Sequence, residues 1–366
     1  MPDEAPAQRP LRFGEALPRI RAASNRNPQF ALGSMGGRFV LLCVIADANA
    51  ETAKAALTAI AAHQGEETVR LCAVASVDAN AAPATLAAAV AGKLVFHDPP
   101  VLLAAGLHDP AGAPAGRWIL FDPSQRVLGL WLLEDAAGAL QALAQTPTPD
   151  AHAGTPLHAP VLIAPRIFEP EFCKRLIEHY RDHGGTPSGV TQENAEGKTI
   201  VRLQDDFKRR RDVLIADQNL RDGAMHRIFW RLAPEIEKAF MWRPTRMERY
   251  LVACYDADGG GFFKPHRDNT TKGTAHRRFA VTINLNAGEY EGGDLRFPEF
   301  GSKTYRAPTG GAVVFACSLL HEATPVTRGQ RYAFVPFLYD DDGAKLRAEN
   351  EKYLDESIRA DRGARE

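Results

Sequence analysis

The sequence predicts two domains: an α/β layer with a mixed sheet and flanking helices, then an all-β sandwich or barrel of jelly-roll type with supporting helices. Three observations carry this. The 366 residues are more than one hydrophobic core usually serves. Residues 145–160, QTPTPDAHAGTPLHAP, hold four prolines and almost nothing that packs, which reads as a linker. Across that linker the pattern changes from alternating strand and helix signals to many short β segments.

The first part justifies the α/β expectation element by element. RFVLLCVIAD is an apolar, β-rich run of strand length. AETAKAALTAIAAHQ is an alanine-rich helix former, with Ala55, Leu57, Ile60 and Ala61 read as its apolar face. TVRLCAVASVD reads as a second buried strand and APATLAAAVAG as a helix. RWILFDPSQRVLGLWLL reads as a hairpin turning at Asp122-Pro-Ser-Gln, and AAGALQALAQ closes the domain with a helix. Strand, helix, strand, helix, hairpin, helix makes a small layered domain with a mixed sheet.

The second part opens with EPEFCKRLIEHYRDHGG, an amphipathic helix with Pro170 in its first turn and Gly184 and Gly185 at its end. A further helical stretch is expected over 217–240, interrupted at Gly223 and Pro234. From 245 to 340 short strands follow: ERYLVACY, FFKPH, RRFAVTINLN, GDLRF, AVVFACS and RYAFVPFLY, punctuated by Gly, Pro and Asp. The expected organisation is an arm over 1–12, an α/β domain over 13–145, a linker over 146–160, a β domain over 161–345 and a charged, helical tail over 346–366.

Composition excludes some classes of function. The formal net charge is −1, without the basic excess of a nucleic-acid binder. The longest apolar runs, such as FVLLCVIA, are too short to cross a bilayer. The N-terminus has no apolar h-region of a secretory signal. Five cysteines, widely spaced and without a C-x-x-C pair, argue against a disulfide framework and fit a reducing compartment. These features together predict a cytoplasmic protein with no nucleic-acid or membrane partner.

The stretch KPHRDNTT places His266 and Asp268 two residues apart, so on a strand end they project to the same side. A third ligand is needed. His276 lies nearby in KGTAHRRF, which reads as a loop, whereas His321 follows the strong strand GGAVVFACSLL and would aim into a barrel interior. Two imidazoles and one carboxylate with open positions suit non-heme Fe(II); zinc uses the same ligand types. Ten residues past His321, Arg331 opens the next strand, where a guanidinium can clamp a carboxylate through two parallel hydrogen bonds.

The segments LVACYDADGGGFFKPHRDN, INLN, EGGDLRF and HEATPVTRGQRYAF, over about 248–341, resemble the catalytic core of Fe(II)/2-oxoglutarate dioxygenases. The similarity is to the prolyl hydroxylases, including those acting on the hypoxia-inducible factor. The resemblance implies a double-stranded β-helix fold. It implies that His266, Asp268 and His321 hold Fe(II), that Arg331 binds the distal carboxylate of 2-oxoglutarate, and that Tyr255 lies near the metal-chelating end of that co-substrate. Asn284 stands where some relatives have a tyrosine for the distal carboxylate. That carboxylate therefore leans on Arg331 or on a hydroxyl elsewhere, with Thr282 one candidate. The implied reaction takes 2-oxoglutarate and O2, converts a substrate C–H into C–OH, and releases succinate and CO2. A protein or peptide side chain is the expected substrate, with proline first. The same chemistry on a small molecule or free amino acid, and a non-enzymatic metal or oxygen sensor that docks a partner, are the alternatives.

The first domain, over about 13–143, resembles the peroxiredoxin branch of the thioredoxin fold, through GSMGGRFVLLCVIADANAETAKAAL and GRWILFDPSQRVLGLW. Such enzymes need a thiolate at the turn between the first main strand and its helix. Here that turn is ADANAET and has no cysteine; Cys43 and Cys72 fall inside strands. The expectation is a redox-silent domain serving as scaffold, homodimer face or substrate-recruiting surface. Cys254 and Cys317 are read as small apolar core residues. Tyr255 is read as either a core tyrosine or a ligand contact. The run KRRRD at 208–212 is read as a solvated loop, with an electrostatic guide for an acidic substrate as the sharper alternative.

Overall fold

The computed structural model describes residues 9–90, 92–108, 116–194, 196–356 and 358. The expected arm over 1–12 and tail over 346–366 therefore fall partly outside the described residues. The chain divides into two units, Met1–Ala159 with Pro298–Ser302, and Pro160–Phe297 with Lys303–Glu366.

In the first unit the buried, β-branched run Phe39–Ile45 takes the centre of a five-stranded sheet. It pairs in parallel with Arg70–Ser76, which pairs in parallel with Leu94–His97. On its other side lies the antiparallel hairpin Gly116–Phe121 and Val127–Leu132. Asp122 closes that hairpin: its carbonyl accepts from Gln125 N (2.9 Å) and its carboxylate from Arg126 N (3.0 Å). The parallel strands read as continuous apolar runs because both faces are covered, one by Leu17, Leu32 and Leu102, the other by Leu57, Ile60 and Leu143. The Glu51–Ala62 helix buries Ala53, Ala56, Leu57 and Ile60, so Ala55 and Ala61 face outward instead, one step off the expected stripe. The strand Leu94–His97 and the short helix Pro99–Ala104 were not expected. Four residues next to a proline pair carry too little periodicity to announce a strand.

Among the described residues the second unit contains two main antiparallel sheets, besides two two-stranded pairs. The larger runs in the order Arg246–Glu248, Phe337–Tyr339, Phe279–Asn284, Gln330–Phe334, Leu251–Asp256, Arg211–Leu214 and Thr186–Pro187, with Ala312–Ala316 and Leu162–Ala164 attached beside Phe279–Asn284. The smaller runs Lys208–Arg209, Phe262–His266, His321–Ala323, Leu295–Arg296 and Thr304–Tyr305. Helices cover one face of the larger sheet. Phe172, Leu176, Ile177 and Tyr180 of the Pro170–His183 helix, with Ile228, Leu232 and Ile236, pack on Val252, Cys254, Val281, Ile283, Tyr332 and Phe334. Gly184 ends the first helix in the left-handed region (φ 69°), its N–H donating to Tyr180 O.

The helical stretch after Asp217 differs from expectation in where it breaks. Gly223 lies inside the regular helix Gln218–Arg227. The irregularity is a π-helical turn at Ile228–Leu232, just before Pro234 in the next helix, Ala233–Phe240. Proline has no N–H to donate, and its ring crowds the carbonyl four residues earlier, so the turn widens there. KRRRD is not a solvated loop. Lys208–Arg209 and Arg211–Leu214 are strands, and Lys208 and Arg210 are buried, because the fold supplies them with partners the local sequence does not reveal.

Candidate metal centre and carboxylate recess

Strand alternation decides what faces the space between the two sheets. On Leu251–Asp256, Val252 and Cys254 point to the helices, so Leu251, Ala253 and Tyr255 point the other way. On Gln330–Phe334, Tyr332 and Phe334 take the helix side, which puts Arg331 on the inner side. The same period on Phe279–Asn284 turns Thr282 inward with Ala280, while Ile283 packs on the helices. One cavity is accordingly lined by Tyr255, Thr282 and Arg331 from the larger sheet and by Phe263, His266 and His321 from the smaller.

His266, Asp268 and His321 come together at this cavity, with one ligand atom from each all within 4.8 Å of one another. His266 ends the Phe262–His266 strand and pairs with His321 across the sheet. The register shifts between Phe263 and His266, a bulge-like irregularity that re-aims the strand end. Asp268 lies just beyond, its backbone N–H donating to Cys317 O (2.9 Å). Its carboxylate approaches His266 Nε2 at 3.6 Å and His321 Nε2 at 3.3 Å. Ligand atoms about 2.1 Å from a shared ion and at right angles lie about 3 Å apart, so these spacings fit an ion with little adjustment.

The imidazoles are held in the tautomer a metal needs. His266 Nδ1 donates to Lys264 O (2.8 Å) and His321 Nδ1 to Leu319 O (3.0 Å). A carbonyl only accepts, so each Nδ1 carries the proton and each Nε2 offers its lone pair to the cluster. Rings brace both: Phe263 stacks on His266 at 3.4 Å between centroids, and Phe315 lies 4.5 Å from His321. Burial and the adjacent His266 push His321 down to about 4, against the pull of Asp268. Burial raises the Asp268 carboxyl, but the His321 and His266 imidazoles outweigh it and hold it below the ordinary carboxylate range. His321 is therefore neutral near pH 7, and Asp268 is a carboxylate. His276 does not join them. It is fully buried, 3.2 Å from Glu248, which also binds Arg277.

Arg331 is the second feature of the cavity. It is 3 % exposed, opposite Tyr255 in the strand register, with its guanidinium 5.0 Å above the Tyr255 ring. Its Nε and Nη1 have no hydrogen-bond partner among the described residues. A buried guanidinium without an anion is costly, so this one is complementary to an acidic ligand. Thr282 and Asn284 line a narrower recess beside it, together with Tyr290 and Gly293. Asn284 Nδ2 donates one of its two hydrogens to Ala307 O (2.8 Å), and its Oδ1 has no partner among the described residues.

On the other side of Tyr255, Arg210 binds Asp212 through two contacts of 2.7 Å, and Arg249 reaches the same carboxylate at 3.4 Å. Arg210 Nη1 also donates to the Tyr255 hydroxyl at 3.4 Å. Tyr255 thus packs in the core and faces the cavity at once. Sequence reading missed Arg249, which lies inside the expected strand ERYLVACY but falls at the break between Arg246–Glu248 and Leu251–Asp256 with φ 69°, and Tyr290, whose buried hydroxyl shows itself only once its neighbours are placed.

Comparisons with known proteins fall on this region. Residues 250–339 match the family model of the 2OG-Fe(II) oxygenase superfamily, about a quarter of the chain. A PKHD-type hydroxylase of Synechococcus sp. (strain JA-2-3B'a(2-13)) is 33% identical over 102 residues, covering 26% of this chain and 45% of the relative. A PKHD-type hydroxylase of Cupriavidus metallidurans is 36% identical over 100 residues, covering 24% and 44%. The chain thus spans less than half the length of these curated relatives. Among solved structures, a Pseudomonas putida prolyl-4-hydroxylase aligns at 20% identity with a TM-score of 0.38, covering 52% of this chain and 96% of its own. No helix among the described residues is long and apolar enough to cross a membrane. The segment that carries the histidine–aspartate–histidine cluster and Arg331 is the one similar to the 2OG-Fe(II) oxygenases.

Proposed function

We propose that the protein is an Fe(II)- and 2-oxoglutarate-dependent dioxygenase that hydroxylates a C–H bond of a protein or peptide side chain, with prolyl residues the first candidate. The observation that carries this reading is Arg331, a buried guanidinium without an anion among the described residues, in the same cavity as a His-Asp-His cluster. A metal-binding keto acid with a second carboxylate answers both features at once. Sensing alone would require the metal set but not the acid clamp. The match to the 2OG-Fe(II) oxygenase model favours iron over zinc, and the similarity to PKHD-type hydroxylases favours a hydroxylated product.

The ligand set fits the ion by donor type, tautomer and spacing. His266 Nε2, Asp268 and His321 Nε2 would hold it. Bound iron supplies the oxidising power that turns C–H into C–OH, as O2 and 2-oxoglutarate become succinate and CO2 with one oxygen atom placed on the substrate. The chain's own groups position and protect. Arg331 would grip the distal carboxylate and Tyr255 would contact the chelating end. Phe263, Phe315 and Phe337 line the cavity with apolar surface and limit water. No protein general base is required.

For the first unit, we read a thioredoxin-like domain without thiol chemistry. Support comes from its parallel triplet with antiparallel hairpin and from its thiols. Cys43 and Cys72 are buried, and burial raises both, Cys72 to about 12, so neither forms a thiolate near neutrality.

The test is anaerobic loading with Fe(II) and 2-oxoglutarate. A weak metal-to-ligand absorption band near the red end of the spectrum is expected, followed by succinate when oxygen and a prolyl peptide are added. Absence of keto-acid binding overturns the reading. Turnover on free amino acids but not peptides moves the substrate to the small-molecule class.

A further inference from the structure

We propose that the Tyr290 hydroxyl is the second donor to the distal carboxylate of the co-substrate, supplying from a loop the contact that Asn284 does not provide. This rests on the co-substrate reading above. Tyr290 is 3 % exposed, and its hydroxyl has no hydrogen-bond partner among the described residues. It lines the same narrow recess as Arg331, whose Nε and Nη1 are likewise unpartnered. A buried phenol and a buried guanidinium, each lacking an acceptor in one recess, are both satisfied by one carboxylate. An apolar ligand would leave both orphaned.

The placement of Tyr290 is built in, not incidental. Asn286, four residues earlier, donates to Gln330 O (2.8 Å) and accepts from Tyr332 N (2.9 Å). These are the backbone groups on either side of Arg331, so the Tyr290 loop is registered to that side chain. Arg306, which also lines the recess, packs on the ring, its guanidinium 4.4 Å from the ring centroid and donating to Tyr290 O (3.2 Å) and Gly292 O (2.6 Å). Gly293 omits a side chain that would crowd this tight recess. At its φ of +67°, a Cβ would lie 3.1 Å from Arg331 Cδ and 3.6 Å from Tyr290 Cε2. Asn284 has already given one of its two Nδ2 hydrogens to Ala307 O, and its partnerless Oδ1 would repel a carboxylate.

The experiment compares the Mn(II)-loaded wild-type chain with Tyr290→Phe by calorimetric titration. Two keto acids are used: 2-oxoglutarate, and pyruvate, which lacks the distal carboxylate. The expected result is a Kd for 2-oxoglutarate about 10- to 100-fold weaker in the variant, with pyruvate unchanged. The metal-free Tyr290→Phe protein should melt no lower than wild type, because the lost hydroxyl has no partner among the described residues. Unchanged 2-oxoglutarate affinity overturns the proposal, as does an equal loss for both acids or a larger loss in Thr282→Val. A wild-type chain that binds 2-oxoglutarate no better than pyruvate sinks the co-substrate reading itself, an outcome distinct from failure of the Tyr290 assignment alone.

Discussion

Arg331 lies directly across the strand pair from Tyr255, its guanidinium 5.0 Å above that ring and without a carboxylate among the described residues to meet it. Arg331→Met should therefore separate stability from binding. The metal-free variant should be as stable as wild type or more so, since an uncompensated buried charge is replaced by an apolar chain of similar length. Its affinity for 2-oxoglutarate should fall at least about 100-fold with the loss of a charge-assisted pair. Thermal melting and keto-acid titration read the two effects. A destabilised variant that retains affinity would place the acid elsewhere.

The three ligand positions should behave as a unit toward the ion. Mn(II) is expected to raise the melting temperature of the wild-type chain, and a chelator should reverse the rise. His321→Ala and Asp268→Ala should each abolish it while leaving the metal-free fold intact by circular dichroism. A full metal-induced shift in His321→Ala would remove His321 from the ligand set.

The Asp212 carboxylate touches both Arg210 and Arg249, and Ser188 donates to it as well (2.6 Å). Burial opposes its charge, but Arg210 and Lys208 outweigh that and hold it below the ordinary carboxylate range. Asp212→Asn leaves two guanidiniums uncompensated beside the cavity and should cost about 3–5 kcal/mol in denaturant unfolding. A loss below about 1 kcal/mol would show that solvent reaches the cluster.

Glu169 gives a pH-dependent prediction away from the site. Hydrogen bonds from Arg231 and Arg227 (2.5 and 2.6 Å) pull its carboxyl down to about 2. A lowered folded-state pKa means its contribution is present above the ordinary carboxylate range, near 4.5, and is lost as the pH falls toward 2. The side chain is 44 % exposed, so the effect is small. Glu169→Gln should flatten the acid limb of the stability curve between those values and change little at pH 7. An unchanged acid limb would show the pair is not formed in solution.

The thiols of the first unit should be silent. With Cys43 and Cys72 both pushed upward by burial, a thiol reagent at pH 7 should label neither without denaturant, and peroxide reduction should be absent. Peroxidase activity lost in Cys43→Ser would contradict this.

Much of the site could be read from local rules. The inward position of Arg331 follows from the period of a β-strand, which sends alternate side chains to one face, whereas Asp268 lies past the strand end and reaches His266 only through the irregular turn that follows. The order of strand and helix in the first unit was legible because buried parallel strands are continuous apolar runs. Other features lay beyond that reach. KRRRD reads as solvated because four adjacent cations find no counter-charge on their own strand except Asp212. Burial of Lys208 and Arg210 depends on Ser188, Gly189 and Tyr255, which lie far off along the chain. Tyr290 belongs to no periodic element, so only the folded loop reveals its hydroxyl beside Arg331.

By itself, then, the amino-acid order determined the residue types and the inward or outward sense of each strand position, since both are properties of the local backbone. The tertiary structure decided which of those inward groups share one cavity and which go unpartnered. Hydrogen bonding and charge compensation are settled between segments brought together from distant parts of the chain, and no local pattern encodes them.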